Sequence, residues 1–121
     1  MNGWVWLAVA GVGGIGAIGR FLLDGDISER VGRDFPYGTF AVNISGALVL
    51  GLLTGLAVEG DLLLIAGTAT IGSYTTFSTW MFETHRLGEE RELPRSLINI
   101  GVSVLAGFAA ALLGHAIGVH L

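Results

Sequence analysis

A hydroxyl-rich run of thirteen residues, from Thr68 to Trp80, is the part of the sequence best suited to chemistry. Eight of its side chains carry a hydroxyl group, and none carries a charge. A helix facing lipid along its length would not carry such a run, because polar groups inside a membrane face the protein interior or a wet path. Gly72 lies within the run, and the adjacent β-branched residues Thr75 and Thr76 have hydroxyls that compete for backbone partners. The run therefore predicts a helix that is broken in the middle of a membrane.

A break at that depth would leave backbone carbonyl groups without helical partners. Such groups are tolerated in a bilayer only where they are buried in protein or line a wet cavity. Carbonyl oxygens in that position are natural ligands for a hard cation. The alternative is an unbroken helix whose hydroxyls bond to carbonyls one turn earlier, and periodicity alone leaves both open.

Two aromatic residues follow the expected break. Phe77 and Trp80 are three positions apart, so they share one face of a helix that starts there. The edge of an aromatic ring is partially positive, and edges directed into a pore would attract an anion without holding it as tightly as an arginine would. Ordinary aromatic packing is the alternative interpretation.

The other polar residues within apolar stretches are few. Asn43 stands alone, whereas Asn99 and Ser103 are four apart and would form one stripe on a helix. Buried polar groups of this kind mark ion paths in some membrane proteins and simply join helices in others. Arg20 ends the first apolar stretch, where its side chain would extend to the membrane interface.

The composition of the chain indicates which secondary-structure elements position these residues. Only 13% of the 121 residues are charged, and the mean hydropathy is +0.71, whereas soluble domains carry about 25% charged residues. The charges are clustered, and they separate four uncharged stretches long enough to cross about 30 Å of hydrocarbon. The prediction is a single all-α integral membrane domain, residues 1–121, with four transmembrane helices at about 3–22, 36–58, 62–84 and 94–119.

Small residues spaced four apart predict close helix packing. The pairs are Gly51 with Gly55, Gly114 with Gly118, and Ser103 with Gly107. In lipid, such residues let two helix backbones approach closely.

Several function classes are excluded by the sequence. The net charge of −4 and the lack of any Lys leave no basic surface for nucleic acid. There is no Cys for a thiolate metal site, and no nucleophile–base pair or metal-ligand cluster that indicates an enzyme. Residues 11–16 match the G-x-G-x-x-G pattern, but the chain has no place for the parallel sheet that a dinucleotide-binding unit requires.

Three segments of the chain resemble the signature segments of the Fluc (CrcB) fluoride channels. They are residues 13–20, residues 36–43, and residues 72–79 followed by Glu83, and they occur in the order and spacing of that family. Together with the four apolar stretches, the resemblance covers essentially the whole chain. The Thr-Thr-Phe-Ser-Thr motif after a glycine is its most specific part.

The resemblance implies an antiparallel dimer with two narrow fluoride pores along its interface and passive export of cytoplasmic fluoride. It also implies a structural sodium ion at the centre, bound by the backbone carbonyls of Gly72 and Thr75. Arg20 would lie in the pore vestibule. The anion path would be lined by Asn43, Phe77, Ser78, Thr79, Trp80, Asn99 and Ser103.

Three positions depart from the family pattern. Trp80 stands where most members have Phe, Asn99 where many have Tyr, and Gly107 where a further hydroxyl is common. One pore lining is therefore expected to be altered.

Arginine distribution predicts the orientation and a partner. In a four-helix topology all six arginines lie on or next to the side of the loops after helices one and three, and none lies on the side of the termini. Because Lys and Arg in short loops set orientation, both loops are expected to be cytoplasmic and both termini outside the cell membrane. Such a chain would pair with a separately encoded homologue of opposite orientation. An antiparallel homodimer remains open, because eight acidic residues accompany the arginines.

Two other functions fit a small four-helix membrane protein. A proton-coupled multidrug exporter would need an acidic residue within helix one, and residues 1–19 contain none. A non-conducting membrane subunit would not need the hydroxyl-rich run. Fluoride efflux from liposomes separates both of these from a channel.

Overall fold

The computed structural model describes residues 2–121, apart from the side chain of Ser78. Within this range the chain forms helices with short connections and no β-strand. Three of these helices, Gly3–Val31, Tyr37–Gly55 and Leu93–Val119, are each long and apolar enough to span a membrane. The elements in order are α1 (Gly3–Val31), α2 (Tyr37–Gly55), α3 (Gly60–Leu63), a π-helix (Leu64–Ile71), α4 (Gly72–Tyr74), α5 (Ser78–Glu89) and α6 (Leu93–Val119).

Helix α1 is longer than the sequence predicted. It continues past the expected end near residue 22 to Val31, so Arg20 lies within the helix and does not close it. The added turns are stabilised by a 3.0 Å ion pair between Arg30 and Asp26, four residues apart. Gly32, with a φ of 103°, ends the helix, and its N–H bonds to a carbonyl of the last turn. At about 1.5 Å per residue, α1 exceeds the thickness of a hydrocarbon core, and its last turns extend beyond it.

The bounds of the other long helices differ less from the prediction. Helix α2 occupies 37–55, not 36–58, and the chain turns after it at Ala57, which has a φ of 60°. Helix α6 begins one residue before the predicted residue 94, with Pro94 in its first turn, where its missing N–H costs no hydrogen bond.

The third predicted span, 62–84, consists of shorter helical pieces. Residues 60–74 are helical throughout but contain eight residues of π-helix, in which Thr70 also donates its hydroxyl to the carbonyl of Ile65 at 2.8 Å. Helix α4 ends at Tyr74, the backbone of Thr75 is extended, and α5 begins at Ser78, so residues 75–77 interrupt the helix. Because π-helical turns and helix interruptions are uncommon and occur often at functional sites, this segment is the first place to look for one.

Glycines bring α2 and α6 into backbone contact. A methyl group added at Gly51 would overlap the carbonyl of Ala111, and one at Gly114 would overlap the carbonyl of Leu48. The glycines one turn later, Gly55 and Gly118, make equivalent contacts. The close packing predicted for these two pairs is confirmed. At Gly107 the nearest atom to an added methyl is a side-chain carbon at 3.7 Å, so that position is not crowded.

The 60–74 segment packs against α1 and α2 through glycines of those helices. Gly16 lies against the carbonyl of Thr70, and Gly46 lies against the methyl group of Thr75. A side chain at either glycine would push the segment outward, so the glycines fix the position of the 75–77 interruption.

Burial in the single chain is the reverse of that in a soluble domain. Among the described residues, four apolar side chains are buried, namely Val5, Val42, Ala69 and Leu87, while large apolar residues are exposed along every long helix. Six polar residues are buried: Ser28, Thr39, Thr84, Ser96, Asn99 and Ser103. Polar groups inside and apolar groups outside are expected where lipid or another subunit covers the surface.

Candidate functional site

The interruption at 75–77 is bound by a side chain of α2. The Asn43 amide donates from Nδ2 to the carbonyl of Thr76 at 2.9 Å and accepts from the N–H of Thr76 at 2.8 Å. One side chain thus satisfies both backbone polar groups of the residue at the centre of the interruption. Unpaired backbone groups are costly away from water, so this pairing makes the non-helical stretch tolerable.

The amides around the interruption no longer serve their helical acceptors. In a continuous helix the N–H of Thr76 would bond to the carbonyl of Gly72, and the N–H of Thr79 to that of Thr75. Instead, Thr76 donates to Asn43, and Thr79 donates to the hydroxyl of Thr76 at 3.2 Å. The carbonyls of Gly72 and Thr75 therefore lose their usual donors, and these are the two carbonyls that the family resemblance implied as sodium ligands.

A surface groove starts at the interruption and runs along α6. Two adjoining cavities of about 220 Å³ and 350 Å³ share Asn43 and Trp80. We call them together the break groove. Its lining is Asn43, Ile44, Thr75, Thr76, Phe77, Trp80, Ser103, Val104, Gly107 and Phe108. The groove combines amide and hydroxyl groups with aromatic rings and contains no charged side chain.

Phe77 and Trp80 lie side by side in the break groove, as their spacing predicted. Their ring centroids are 5.7 Å apart and the planes meet at 78°, an edge-to-face arrangement. Phe77 is 69% exposed in the single chain, whereas the Trp80 indole N–H donates to the backbone carbonyl of Asn99 at 3.2 Å. Trp80 is thus fixed to α6, and Phe77 is the ring presented to whatever covers the groove.

Asn99 belongs to a buried network beside the groove. The Thr84 hydroxyl donates to the carbonyl of Trp80 at 2.8 Å and accepts from Asn99 Nδ2 at 2.8 Å, while Ser96 donates to the carbonyl of Thr84 at 2.9 Å. Within the described residues, Asn99 Oδ1 and the Ser103 hydroxyl are buried without a hydrogen-bond partner. Asn99 is 1% exposed and is not among the residues that line the break groove. Its amide donor is used within the subunit, whereas its Oδ1 acceptor is not.

The remaining predicted site residues are placed differently. Thr79 contributes its backbone N–H to the interruption, and the side chain of Ser78 lies outside the described part of the structure. Arg20 is half-buried on α1 and is not among the residues that line the break groove.

Comparison with known proteins identifies the family. The model of the family described as "CrcB-like protein, Camphor Resistance (CrcB)" matches residues 7–115. The chain is 56% identical over 110 residues to a fluoride-specific ion channel FluC 2 of Mycobacterium tuberculosis, covering 91% of this chain and 87% of that protein. This chain belongs to the CrcB family. It is also 41% identical over 121 residues to a FluC 1 of Symbiobacterium thermophilum, covering 95% and 96% of the two chains.

As a member of the CrcB family with apolar spanning helices, the chain is a multi-pass membrane protein. The family also accounts for the resemblance of its three motif segments, which all lie within the matched range. The relatives' names describe channels, which agrees with the prediction that the chain is not an enzyme.

At the C-terminal end of the predicted span 62–84, this CrcB-family chain carries a charged cluster. Arg86 contacts the Glu83 carboxylate at 2.8 Å and the Glu90 carboxylate at 3.2 Å. The hydrogen bond with Glu83 raises the pKa of Arg86 above its ordinary value. The guanidinium is therefore a permanent cation beside this carboxylate.

Sequence reasoning missed two contributors to the site. Thr84 joins α5 to α6, and Ser96 extends the stripe of Asn99 and Ser103 by one more turn. Their spacing was a usable signal, because Ser96, Asn99 and Ser103 recur at intervals of three and four residues.

Proposed function

We propose that this chain is a subunit of a channel through which fluoride leaves the cell passively. The observation that carries the proposal is the break groove, where the Asn43-bound interruption adjoins aromatic edges and hydroxyl groups without any fixed charge. The family and the names of the curated relatives support fluoride as the ion. In such a path the Phe77 ring edge and the Asn43 amide hydrogen not used by Thr76 would replace part of the hydration shell of the anion.

The helical segment of residues 60–89 would cross the membrane as the third of four spans, with its charged end from Glu83 onward outside the hydrocarbon. Thirty residues of helix exceed the length needed to cross about 30 Å of hydrocarbon, even with an interruption. No charged residue occurs between Asp61 and Glu83. In this arrangement the 75–77 interruption lies inside the membrane.

A structural sodium ion is part of the proposal. The donor set fits it, because the carbonyls of Gly72 and Thr75 are hard oxygen ligands whose helical donors are engaged elsewhere. Among the described residues there is no cluster of three His, Cys, Asp or Glu side chains that would select another metal. The ion would hold two carbonyl dipoles together and so stabilise the interruption.

The functional assembly would be an antiparallel dimer. The break groove is open on the surface of the single chain, and Phe77 and Phe108 on its rim are more than two-thirds exposed. A second subunit would cover these rings and provide the other wall of each pore. The backbone carbonyls of Gly72 and Thr75 would then lie near the dimer axis.

The six arginines support a fixed orientation in the cell membrane, with the connections after α1 and after α5 in the cytoplasm and both termini outside. An antiparallel dimer then needs a partner subunit inserted the other way, which is a separately encoded homologue.

Fluoride efflux from liposomes tests the function. Vesicles containing the purified chain, alone and with an oppositely oriented homologue, are loaded with fluoride, and efflux is followed with an electrode. Vesicles that contain both the chain and the oppositely oriented homologue are expected to release fluoride faster than chloride. A membrane packing subunit gives no efflux in either preparation, and a proton-coupled exporter gives efflux that requires a pH gradient. Efflux from the chain alone would replace the heterodimer with a homodimer.

A further inference from the structure

A second cavity, of about 270 Å³, lies between the end of α1, the start of α2 and α5. We call it the loop-side cavity. It lies about one helical turn from the break groove, because Thr39 is one turn before Asn43 on α2 and Glu83 is one turn after Trp80 on α5. Its lining includes Asp24, Ser28, Arg33, Thr39, Glu83 and Arg86.

Two of the charged side chains that line the loop-side cavity, Arg86 and Glu83, neutralise each other by direct contact. Both Nε and Nη2 of Arg86 bond to the same oxygen of Glu83, at 2.9 Å and 2.8 Å. Arg86 also reaches Glu90 and donates to the backbone carbonyl of Arg33 at 3.3 Å. The side chains of Arg86 and Glu83 are 30% and 23% exposed, in contrast to 77% and 54% for the surface pair of Arg30 and Asp26.

We propose that Arg86 is a positioning residue that neutralises and restrains the Glu83 carboxylate at the loop-side mouth of the anion path. This inference rests on the proposed channel function. Asp24 adds a second carboxylate to the same cavity, and Arg33 a second guanidinium. Without Arg86 the mouth carries an excess negative charge, and the local concentration of fluoride falls.

The expected size of the effect follows from Coulomb's law. One uncompensated charge at about 8 Å in a water-rich opening changes the local concentration of a monovalent anion by roughly 2- to 6-fold. Salt screens this interaction, because the Debye length falls from roughly 14 Å at about 0.05 M to about 3 Å at 1 M.

The test is fluoride efflux from liposomes at low and high concentrations of an impermeant salt. Arg86→Gln is expected to reduce flux by about 2- to 6-fold at about 0.05 M salt and to approach the unsubstituted protein at about 1 M. Arg86→Lys, which keeps the charge, is expected to retain most of the flux. Arg30→Gln is the matched control, because it breaks an ion pair of the same kind away from the cavity.

A double variant separates charge from structure. If neutralisation is the role of Arg86, Glu83→Gln combined with Arg86→Gln restores low-salt flux from the level of Arg86→Gln alone to that of the unsubstituted protein. Flux that stays low at every salt concentration in both variants would mean that Arg86 acts by holding the Arg33 carbonyl, which overturns the proposal. Normal flux of Arg86→Gln at low salt also overturns it. If the unsubstituted protein gives no fluoride efflux, the channel function itself is refuted. Failure of the channel function is thus distinguishable from failure of the proposed role of Arg86.

Discussion

Asn43 and Thr76 are 33 residues apart in sequence, and the side chain of the first pairs with both backbone polar groups of the second. This pairing replaces two of the hydrogen bonds that a continuous helix would make. It explains how a helix can be interrupted next to Thr75 without exposing the Thr76 peptide groups to lipid.

Removing the Asn43 amide is expected to destabilise the protein. Asn43→Ala loses two hydrogen bonds and leaves the Thr76 groups unpaired, so the free energy of unfolding should fall by about 1–3 kcal/mol. Ser45→Ala is the control on the same helix, since the Ser45 hydroxyl contacts Tyr74 but not the interruption. Thermal unfolding in detergent measures both, and equal losses in the two variants would argue against the special role of Asn43.

The glycines that bring α2 and α6 into backbone contact are expected to tolerate no larger residue. Gly114→Ala places a methyl group on the carbonyl of Leu48 and is expected to cost about 1–3 kcal/mol, because backbone cannot move away as a side chain can. Gly101→Ala on the same helix meets no atom within 4 Å. This control should be neutral or stabilising by up to about 1 kcal/mol. Chemical or thermal unfolding of the two variants distinguishes close packing from a general intolerance of alanine.

The ring edge of Phe77 is expected to matter for conduction. Phe77→Ile keeps an apolar side chain but removes the partially positive edge, so fluoride flux should fall by about tenfold or more while stability changes little at a residue that is 69% exposed. Phe82→Ile, at an exposed ring of α5 outside the break groove, is the control. If both variants conduct normally, Phe77 serves only in packing.

Sodium removal should destabilise the assembly if the carbonyls of Gly72 and Thr75 bind the ion. A ligand that binds only the folded state contributes RT ln(1 + [L]/Kd), so replacing sodium by a large organic cation should lower the melting temperature. Thr75→Ser keeps the backbone ligand and should leave this sodium dependence in place. A melting temperature that does not respond to sodium would contradict the site.

The sequence by itself determined the class of protein and the place of the unusual segment. Clustered charges separate stretches matched to bilayer thickness, and this pattern needs no tertiary information. The hydroxyl-rich run pointed to residues 72–79, and glycine spacing identified the contacts at Gly51 and Gly114, because both are local patterns repeated along one helix face. The spacing of Phe77 and Trp80 likewise placed the two rings together.

Tertiary structure decided the partners of the polar groups. Asn43 binds the backbone of Thr76, which is 33 residues away in sequence. Asn99 donates to Thr84, which is 15 residues away, and this bond leaves its Oδ1 atom without a donor. The length of α1 was also missed, because a local ion pair stabilises turns beyond the apolar stretch and the helix ends only at Gly32. A side-chain amide can donate in one direction and accept in another, so residue type defines what Asn43 and Asn99 are able to bind. Only the packing of distant helices selects which of those bonds form.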